Sequence, residues 1–376
     1  MDSKKENVIV YGLGKEFVYW RSWIEKKYNV LGYADSDAEK AGLYQPFMSI
    51  EEIQKSQDNI IITSTEYYDE IKDALIASGV EEKRIGGGKE IIEPPVMVVK
   101  IWGGFGGIMT TYSFAKSLQK LNPNVPLYFD MSYYEDTDWD DGKVAPHNIE
   151  KLFHIPLISQ AADSDTIKRA KRQGMTVEKD EETGVYCEKY LSTQKGYVMG
   201  YWPTRKYFYN IKDEIKDLFK FDMQYMSNAQ KELLKKIQST ESVAVWIRRG
   251  NYLEEASWSI LGCICSEDYY NRAIECIKEK HPNAEFYIFS NDAEYIQERY
   301  SEYNLMVYSE NTSDMKDYDM YLMASCKHMI LANSGFSWCA AWLHDAYGNK
   351  GTIISPKVWI NGRPSSDIWE DSWIRI

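Results

Sequence analysis

The sequence lacks the features that would place the protein in a membrane or in a disulfide framework. Its 376 residues contain no run of 18 apolar residues that could cross a bilayer, and the polar start does not resemble a signal peptide. The six cysteines show no C-x-x-C spacing and no second Cys/His pair at zinc-finger spacing, which favours reduced thiols. We expect a cytoplasmic protein, or a peripheral one at the inner face of the cell membrane.

Positive charge is also scarce, since the formal net charge is −13. A field of this sign repels nucleic acid and anionic headgroups, so a phosphate-bearing ligand would need a local basic cluster. The apolar fraction of 44% and the aromatic fraction of 14% are typical of an ordered globular protein. The aromatic residues fit either a carbohydrate-binding surface or an ordinary large core.

The first 92 residues have the outline of a small Rossmann-like domain. A strand over 7–11 leads into Gly12-Leu13-Gly14 and a helical stretch, and a second strand ends at Asp35. Phe17 stands where the third glycine of the G-x-G-x-x-G pattern belongs. Both a nucleotide site and a non-binding accessory domain remain open, and the missing glycine favours the accessory domain.

Two further α/β segments follow a break at Gly86-Gly87-Gly88 and Pro94-Pro95. The first begins with a strand over 96–102, a glycine-rich turn over 103–107 and a helix. In the last third, strands alternate with helices from Ser242 onward, which predicts a parallel sheet covered on both faces. We predict three domains, comprising residues 1–92, 93–228 and 229–376.

A local basic cluster occurs where a buried strand ends, at Arg248-Arg249. Arginine at such a position needs an anionic partner, and its forked donors match phosphate oxygens. A structural ion pair with a nearby carboxylate would explain the same residues. Asn333-Ser334-Gly335-Phe336-Ser337 opens a helix at another strand end, where hydroxyl and N–H groups could hold an anion or form a plain N-cap.

Acidic residues supply two more candidates. Asp319 lies among apolar residues, where a carboxylate could accept the paired N–H groups of guanine. D-x-D strings, which metal-dependent transferases use, occur at 35–37, 136–138, 138–140 and 163–165. Only the first of them follows a strand, and it lies in the accessory segment. We therefore expect no metal site.

Several motifs between residues 96 and 376 resemble those of glycosyltransferase family 11, the alpha-1,2-fucosyltransferases. They are, in order, Gly103-Gly104-Phe105-Gly106-Gly107-Ile108-Met109, Gly200-Tyr201-Trp202-Pro203-Thr204, residues 246–252, residues 265–270, residues 289–292, and the run 319–342. The resemblance implies a GT-B fold of two Rossmann-like domains that face a cleft, preceded here by the small accessory domain.

The resemblance also implies an inverting transfer of L-fucose from GDP-fucose to a glycan hydroxyl, expected to be O2 of a galactoside, without a metal or other cofactor. Arg248 matches the arginine that holds the β-phosphate, Ser337 a further phosphate contact, and Asp319 the carboxylate that reads guanine. The residues expected to bind the donor are Gly104, Phe105, Gly106, Gly107, Trp246, Arg248, Asp319, Ser334, Phe336 and Ser337.

A carboxylate is expected to take the acceptor proton, and Glu254 and Glu255 follow the arginines on the same loop. A solvated loop would explain these two residues equally well. We nevertheless name them, together with Arg248, as the catalytic candidates.

Four positions depart from the family pattern. Trp246 replaces a histidine, Asn251 replaces an aspartate, and Gly107 and Ile108 replace an Asn-Gln pair. These changes leave two alternatives open: the same fold with a different nucleotide-sugar donor, or a nucleotide- or sugar-binding protein that has lost catalysis. A third alternative, a nicotinamide oxidoreductase, is supported by Gly12 and Gly14 alone.

Overall fold

The protein is described from a computed structural model over residues 5–87, 95–135, 146–306 and 318–376. The chain divides between Pro95 and Val96 into two compact units, close to the boundary that the sequence predicts near residue 92. The D-x-D strings at 136–140 lie outside the described residues. All six cysteines are free thiols, as expected.

The first unit is a four-stranded parallel sheet with the order β2-β1-β3-β4. Alternate residues of β1 serve opposite faces, because Val8 and Val10 pack into one core and Ile9 into another. Its elements are β1 (Asn7–Tyr11), α1 (Lys15–Lys27), β2 (Asn29–Ala34), α2 (Ile50–Lys55), β3 (Asn59–Ile62), α3 (Tyr68–Ala77) and β4 (Ile85–Gly87).

The glycine turn at residues 12–14 is hydrogen-bonded to a side chain of the same unit, that of Asp35. The carboxylate of Asp35 accepts hydrogen bonds from the backbone N–H groups of Leu13 at 2.5 Å and Asp37 at 2.9 Å, and it pairs with Lys40 Nζ at 3.0 Å. In dinucleotide-binding domains this acidic position holds a ribose hydroxyl. Here the carboxylate is already satisfied, which agrees with an accessory domain.

The second unit begins with a parallel sheet of four strands in the order β6-β5-β8-β7. Glycine at position 103, with φ of +78°, turns the chain from β5 into a long helix that is buried along most of its length. The elements are β5 (Met97–Lys100), α4 (Phe105–Leu121), β6 (Leu127–Asp130), α5 (Pro146–Phe153), α6 (Ser164–Gln173), β7 (Met175–Val177), β8 (Gly196–Met199) and α7 (Ile215–Leu218).

The rest of the second unit surrounds a parallel sheet of six strands in the order β11-β10-β9-β12-β13-β14. The elements are α8 (Asn228–Ser239), β9 (Glu241–Ile247), α9 (Glu255–Leu261), α10 (Glu267–Lys280), β10 (Ala284–Ser290), α11 (Ala293–Arg299), β11 (Asn304–Met306), α12 (Asp319–Ser325), β12 (His328–Ile330), α13 (Gly335–Ala346), β13 (Ile353–Ser355) and β14 (Ile374–Arg375).

One hydrophobic core joins the two sheets of the second unit. It includes Val99 and Phe129 from the first sheet, Ala244 and Met329 from the second, and buried residues of α4 and α13. The predicted α/β class and GT-B arrangement are confirmed. The predicted boundary at 228/229 separates the two sheets in sequence, but residues 96–376 form one compact unit because the sheets share this core. Among the described residues, no helix is both long and apolar enough to span a bilayer.

Candidate active site

The order of the six-stranded sheet reverses between β9 and β12, since the strands on one side follow β9 and those on the other follow β12. Ligands of open parallel sheets bind outside the carboxyl ends of the strands at such a reversal. Arg248 directly follows β9, and Ser334 follows β12 at the start of α13. The fold thus brings together two positions that are far apart in the sequence and that were both predicted to bind the donor.

The guanidinium of Arg248 is held by neutral groups. Its Nη2 donates to Asn251 Oδ1, and its Cζ lies 5.1 Å from the ring centre of Tyr252. The Tyr252 hydroxyl in turn donates to the carbonyl of Asn333 at 3.0 Å. No carboxylate among the described residues forms an ion pair with Arg248, so its positive charge remains available to an anion beside the start of α13.

Arg249 contrasts with its neighbour. Its Nε pairs with Asp292 Oδ2 at 2.8 Å, its backbone N–H donates to Asn291 Oδ1 at 2.8 Å, and its guanidinium lies 3.8 Å from the centre of the Tyr295 ring. Its charge is therefore neutralised within the fold. Of the two arginines in the basic cluster, Arg248 is the one left to bind a ligand.

The glycine turn after β5 meets the start of α13. A methyl group on Gly106 would lie 2.4 Å from the carbonyl carbon of Gly335 and 2.7 Å from the backbone nitrogen of Phe336, so the two backbones are in contact. Gly104 is the N-cap of α4 and provides no side-chain cap. The first N–H groups of a helix have no partner within the helix and attract anions. Two such helix starts therefore converge at this contact.

An aromatic cluster links this contact to β9. The rings of Trp246 and Phe336 lie 4.6 Å apart at 32°, and Phe105 meets Phe336 edge-on at 6.0 Å. Trp246 is 6% exposed, and its indole Nε1 has no hydrogen-bond partner among the described residues. The three aromatic residues predicted to bind the donor thus form one cluster, which contains a buried and unsatisfied N–H group.

The two serines of the helix start have local roles. Ser334 caps α13 by accepting the N–H of Phe336 at 3.3 Å. Ser337 is completely buried, and its hydroxyl lies 3.0 Å from the carbonyl oxygen of Ala332 and 3.1 Å from that of Ser334. The phosphate contact of Ser337 stays a prediction, and in this structure the one hydroxyl proton of Ser337 is given to the backbone. The backbone N–H groups of this turn remain candidates.

The predicted carboxylates occupy different environments. Asp319 is buried as the first residue of α12 and has an interaction partner within the protein. Glu254 immediately precedes α9, Glu255 begins it, and both are exposed. Their position on the loop that follows Arg248 is compatible with a catalytic base, which stays a prediction.

Sequence analysis missed Glu178, which follows β7. Its Oε2 accepts the backbone N–H groups of Tyr201 at 2.7 Å and Trp202 at 3.3 Å, while Oε1 has no partner among the described residues. Burial raises the pKa of Glu178 to about 7, although the two N–H groups act in the opposite direction. In the sequence this residue reads as the start of an acidic loop, and no spacing sets it apart.

A histidine cluster lies at the amino ends of the strands, away from Arg248. Potential ligand atoms of Glu241, His281 and His328 all lie within 4.8 Å of one another. However, Nδ1 of His328 accepts the N–H of Thr352 at 2.9 Å, so its proton must sit on Nε2, which faces Glu241 Oε1 at 2.9 Å. This is a completed hydrogen-bond network, and a metal ion at Nε2 would have to displace that proton.

A separate cavity lies beside the C-terminal half of α13. It is lined in part by Arg205, Lys206, Asp345, Asp367 and Glu370. Arg205 pairs with Asp345 at 2.8 Å and with Glu370 at 3.0 Å, and Lys206 pairs with Asp367. Since these charges neutralise one another and no predicted donor-binding residue is among the lining residues, we place the candidate site at Arg248.

Comparisons with known families match both parts of the chain. The profile of Glycosyl transferase family 11 matches residues 175–376, and that of "C2185-like, N-terminal" matches residues 4–86. The first match contains Arg248 and the start of α13, whereas the glycine turn at 103–107 lies before it.

Two curated proteins of Escherichia coli align over more of the chain. An alpha-1,2-colitosyltransferase is 30% identical over 295 residues, which is 75% of this chain and 99% of that protein. The O-antigen biosynthesis glycosyltransferase WbnK is 24% identical over 305 residues, or 73% of this chain and 98% of that protein. Among solved structures, the fucosyltransferase NodZ from Bradyrhizobium covers 72% of this chain and 97% of its own, with 12% identity and a TM-score of 0.41.

Proposed function

The chain belongs to glycosyl transferase family 11, and we propose that it transfers L-fucose from GDP-fucose to O2 of a galactoside. Membership makes it a glycosyltransferase that acts on glycans, whereas the donor, the acceptor and the linkage are our proposal.

One observation carries the proposal: Arg248 has no carboxylate partner among the described residues, and it lies next to the helix start at Ser334. In GDP-fucose the sugar is β-linked, so an α-linked product requires inversion. The acceptor oxygen bonds to C1, the bond from C1 to the phosphate oxygen breaks, and GDP leaves with the electron pair.

We propose that Arg248 and the first N–H groups of α4 and α13 stabilise the negative charge that grows on the leaving diphosphate. A preorganised donor of this kind contributes about 3 kcal/mol to transition-state stabilisation. These groups would act in place of a divalent cation. The acceptor proton would pass to a carboxylate, with Glu254 and Glu255 as our candidates, and Asp319 would read the guanine base.

A second donor deserves equal testing. The relative that is 30% identical is named an alpha-1,2-colitosyltransferase, and colitose is fucose without its 3-hydroxyl group. In addition, Trp246 places a bulky, largely apolar side chain in the candidate donor site. GDP-colitose is therefore the alternative donor that we propose.

The test is to incubate the protein with GDP-fucose or GDP-colitose and a panel of β-galactosides, in the presence of EDTA. Mass spectrometry identifies the transferred sugar, and NMR of the product gives the linkage and the anomeric configuration. An α-linked fucosyl product at O2 supports the proposal. Exclusive use of GDP-colitose would identify it as the donor in place of GDP-fucose. Binding of GDP without any turnover would indicate a protein that has lost catalysis.

A further inference from the structure

In the four-stranded sheet of the second unit, β5 and β8 are parallel neighbours, so their carboxyl ends lie side by side at one edge of the sheet. The residues that follow these two strands include Trp102 and Tyr201, whose rings stack at 4.1 Å and 26°. Tyr133 meets Trp102 edge-on at 6.5 Å. We call Trp102, Tyr133 and Tyr201 the aromatic platform. It occupies the position at which open parallel sheets bind ligands.

The platform is held rigidly. The indole Nε1 of Trp102 donates to the carbonyl of Gly200 at 2.9 Å, and Glu178 accepts the N–H of Tyr201 at 2.7 Å. The hydroxyl of Tyr134 donates to the carbonyl of Gly103 at 2.9 Å, which fixes the chain just after Trp102. Ordering aromatic rings before binding lowers the entropy cost of holding a ligand.

The platform is also accessible to a ligand. Tyr201 is 43% exposed although its ring stacks on Trp102 and its backbone N–H is bonded to Glu178. Its hydroxyl end is more enclosed, because burial, together with the nearby Tyr133 and Tyr252, raises the pKa of Tyr201 to about 12.

The glycine turn places the platform next to the donor site. A methyl group on Gly103 would lie 3.8 Å from Cε1 of Tyr201, so the ring of Tyr201 borders the turn after β5. The same turn contacts the start of α13 through Gly106, which makes the platform and the proposed diphosphate site neighbours.

We propose that the aromatic platform binds a neutral pyranose of the acceptor glycan, with the C–H face of the sugar packed on Tyr201 and Trp102. Flat apolar ring faces suit the C–H face of a pyranose, and they offer nothing to a phosphate. We assign the platform to the acceptor because its rings carry no charge, whereas the groups that would hold the donor diphosphate are Arg248 and the helix starts. This assignment rests on the proposed glycosyl transfer.

The test compares Trp102→Leu and Tyr201→Leu with Tyr225→Leu, a control at a ring that is 44% exposed and lies outside the candidate site. The acceptor is methyl β-D-galactopyranoside and the donor is GDP-fucose. We expect each platform variant to raise the KM for the acceptor by about tenfold, the effect of losing one good ring contact, while the KM for the donor stays within about twofold. The shift in melting temperature on adding GDP serves as the check on folding.

Saturation-transfer NMR of the galactoside with the protein, without donor, supplies a readout that does not depend on turnover. The proposal requires a signal in the wild type and in Tyr225→Leu that is lost in both platform variants. An unchanged KM for the acceptor, or an equal rise in the KM for the donor, would overturn it. If the wild type consumes no GDP-sugar, the proposed function fails, while the NMR comparison still decides whether the platform binds the sugar.

Discussion

Gly106 and Gly335 bring the starts of two helices into backbone contact, since a methyl group on Gly106 would lie 2.4 Å from the carbonyl carbon of Gly335. The relationship is not symmetric. A methyl group on Gly335 would lie 3.9 Å from Cα of Gly106, an ordinary van der Waals distance. The contact therefore requires glycine at one of the two positions only.

The first prediction follows from this asymmetry. Gly106→Ala should lower the free energy of unfolding by about 1–3 kcal/mol, because the clash is with backbone that cannot rotate away. Gly335→Ala, the matched control, should leave stability nearly unchanged. Thermal and denaturant unfolding of both variants provides the measurement. Equal stability of the two variants would mean that the helix starts are not packed as described.

A second prediction concerns the unsatisfied indole of Trp246. If its N–H group serves the donor, Trp246→Phe should raise the KM for the donor by about tenfold, the effect of one lost hydrogen bond, at little cost in stability. Trp338 is the matched control, because its Nε1 donates to the carbonyl of Ile368 at 2.8 Å. Trp338→Phe should lower the melting temperature and leave the KM for the donor unchanged. If Trp246→Phe leaves the KM for the donor unchanged and Trp338→Phe raises it, Trp246 does not contact the donor.

Glu178 leads to a third prediction, about pH. Its pKa is raised from 4.5 to about 7, chiefly by burial, so the folded protein holds this proton more tightly than the unfolded chain does. Its contribution to stability is therefore complete below the unfolded pKa and is lost as the pH rises through about 7.

The measurement is denaturant unfolding of the wild type and Glu178→Gln between about pH 5 and about pH 8. Glutamine keeps an oxygen that can accept the N–H of Tyr201 but does not ionise. Relative to the wild type, this variant should gain about 2–3 kcal/mol over that range. A constant difference between the two proteins would show that Glu178 ionises normally.

The fourth prediction concerns divalent cations. If Arg248 and the helix starts stabilise the leaving diphosphate, EDTA should leave the transfer rate unchanged and added Mg²⁺ or Mn²⁺ should not stimulate it. Zn²⁺ should not raise the melting temperature either, because the proton on Nε2 of His328 blocks that position. Loss of activity in EDTA, restored by one of these cations, would contradict this.

Much of the fold could be predicted from the sequence, because strands and helices alternate with clear glycine turns. Arg248 was found because it follows a buried apolar strand, and the carboxyl ends of parallel strands are where ligands bind. The role of Ser337 stays a prediction, since the helix start alone does not reveal which hydroxyl faces a ligand, and in the structure this hydroxyl faces the backbone.

Other features depend on the strand order, which the sequence does not contain. Trp102 and Tyr201 stack because β5 and β8 are neighbours in the sheet, although the two residues are far apart in the chain. Likewise, Arg249 is neutralised by Asp292 through the pairing of β9 with β10. The sequence alone does not show that Arg249 has a carboxylate partner and that Arg248 has none among the described residues.

The central claim is that the guanidinium of Arg248 stabilises the departing diphosphate. The most direct test is the steady-state rate of GDP release with donor and acceptor for Arg248→Ala, Arg248→Lys and Arg249→Ala. We predict that Arg248→Ala lowers kcat by about 10²–10³-fold, with an unchanged melting temperature, and that lysine restores only part of the rate. Arg249→Ala should retain most of the activity, because Asp292 already neutralises that side chain. Full activity in Arg248→Ala, or an equal loss in Arg249→Ala, would contradict the account.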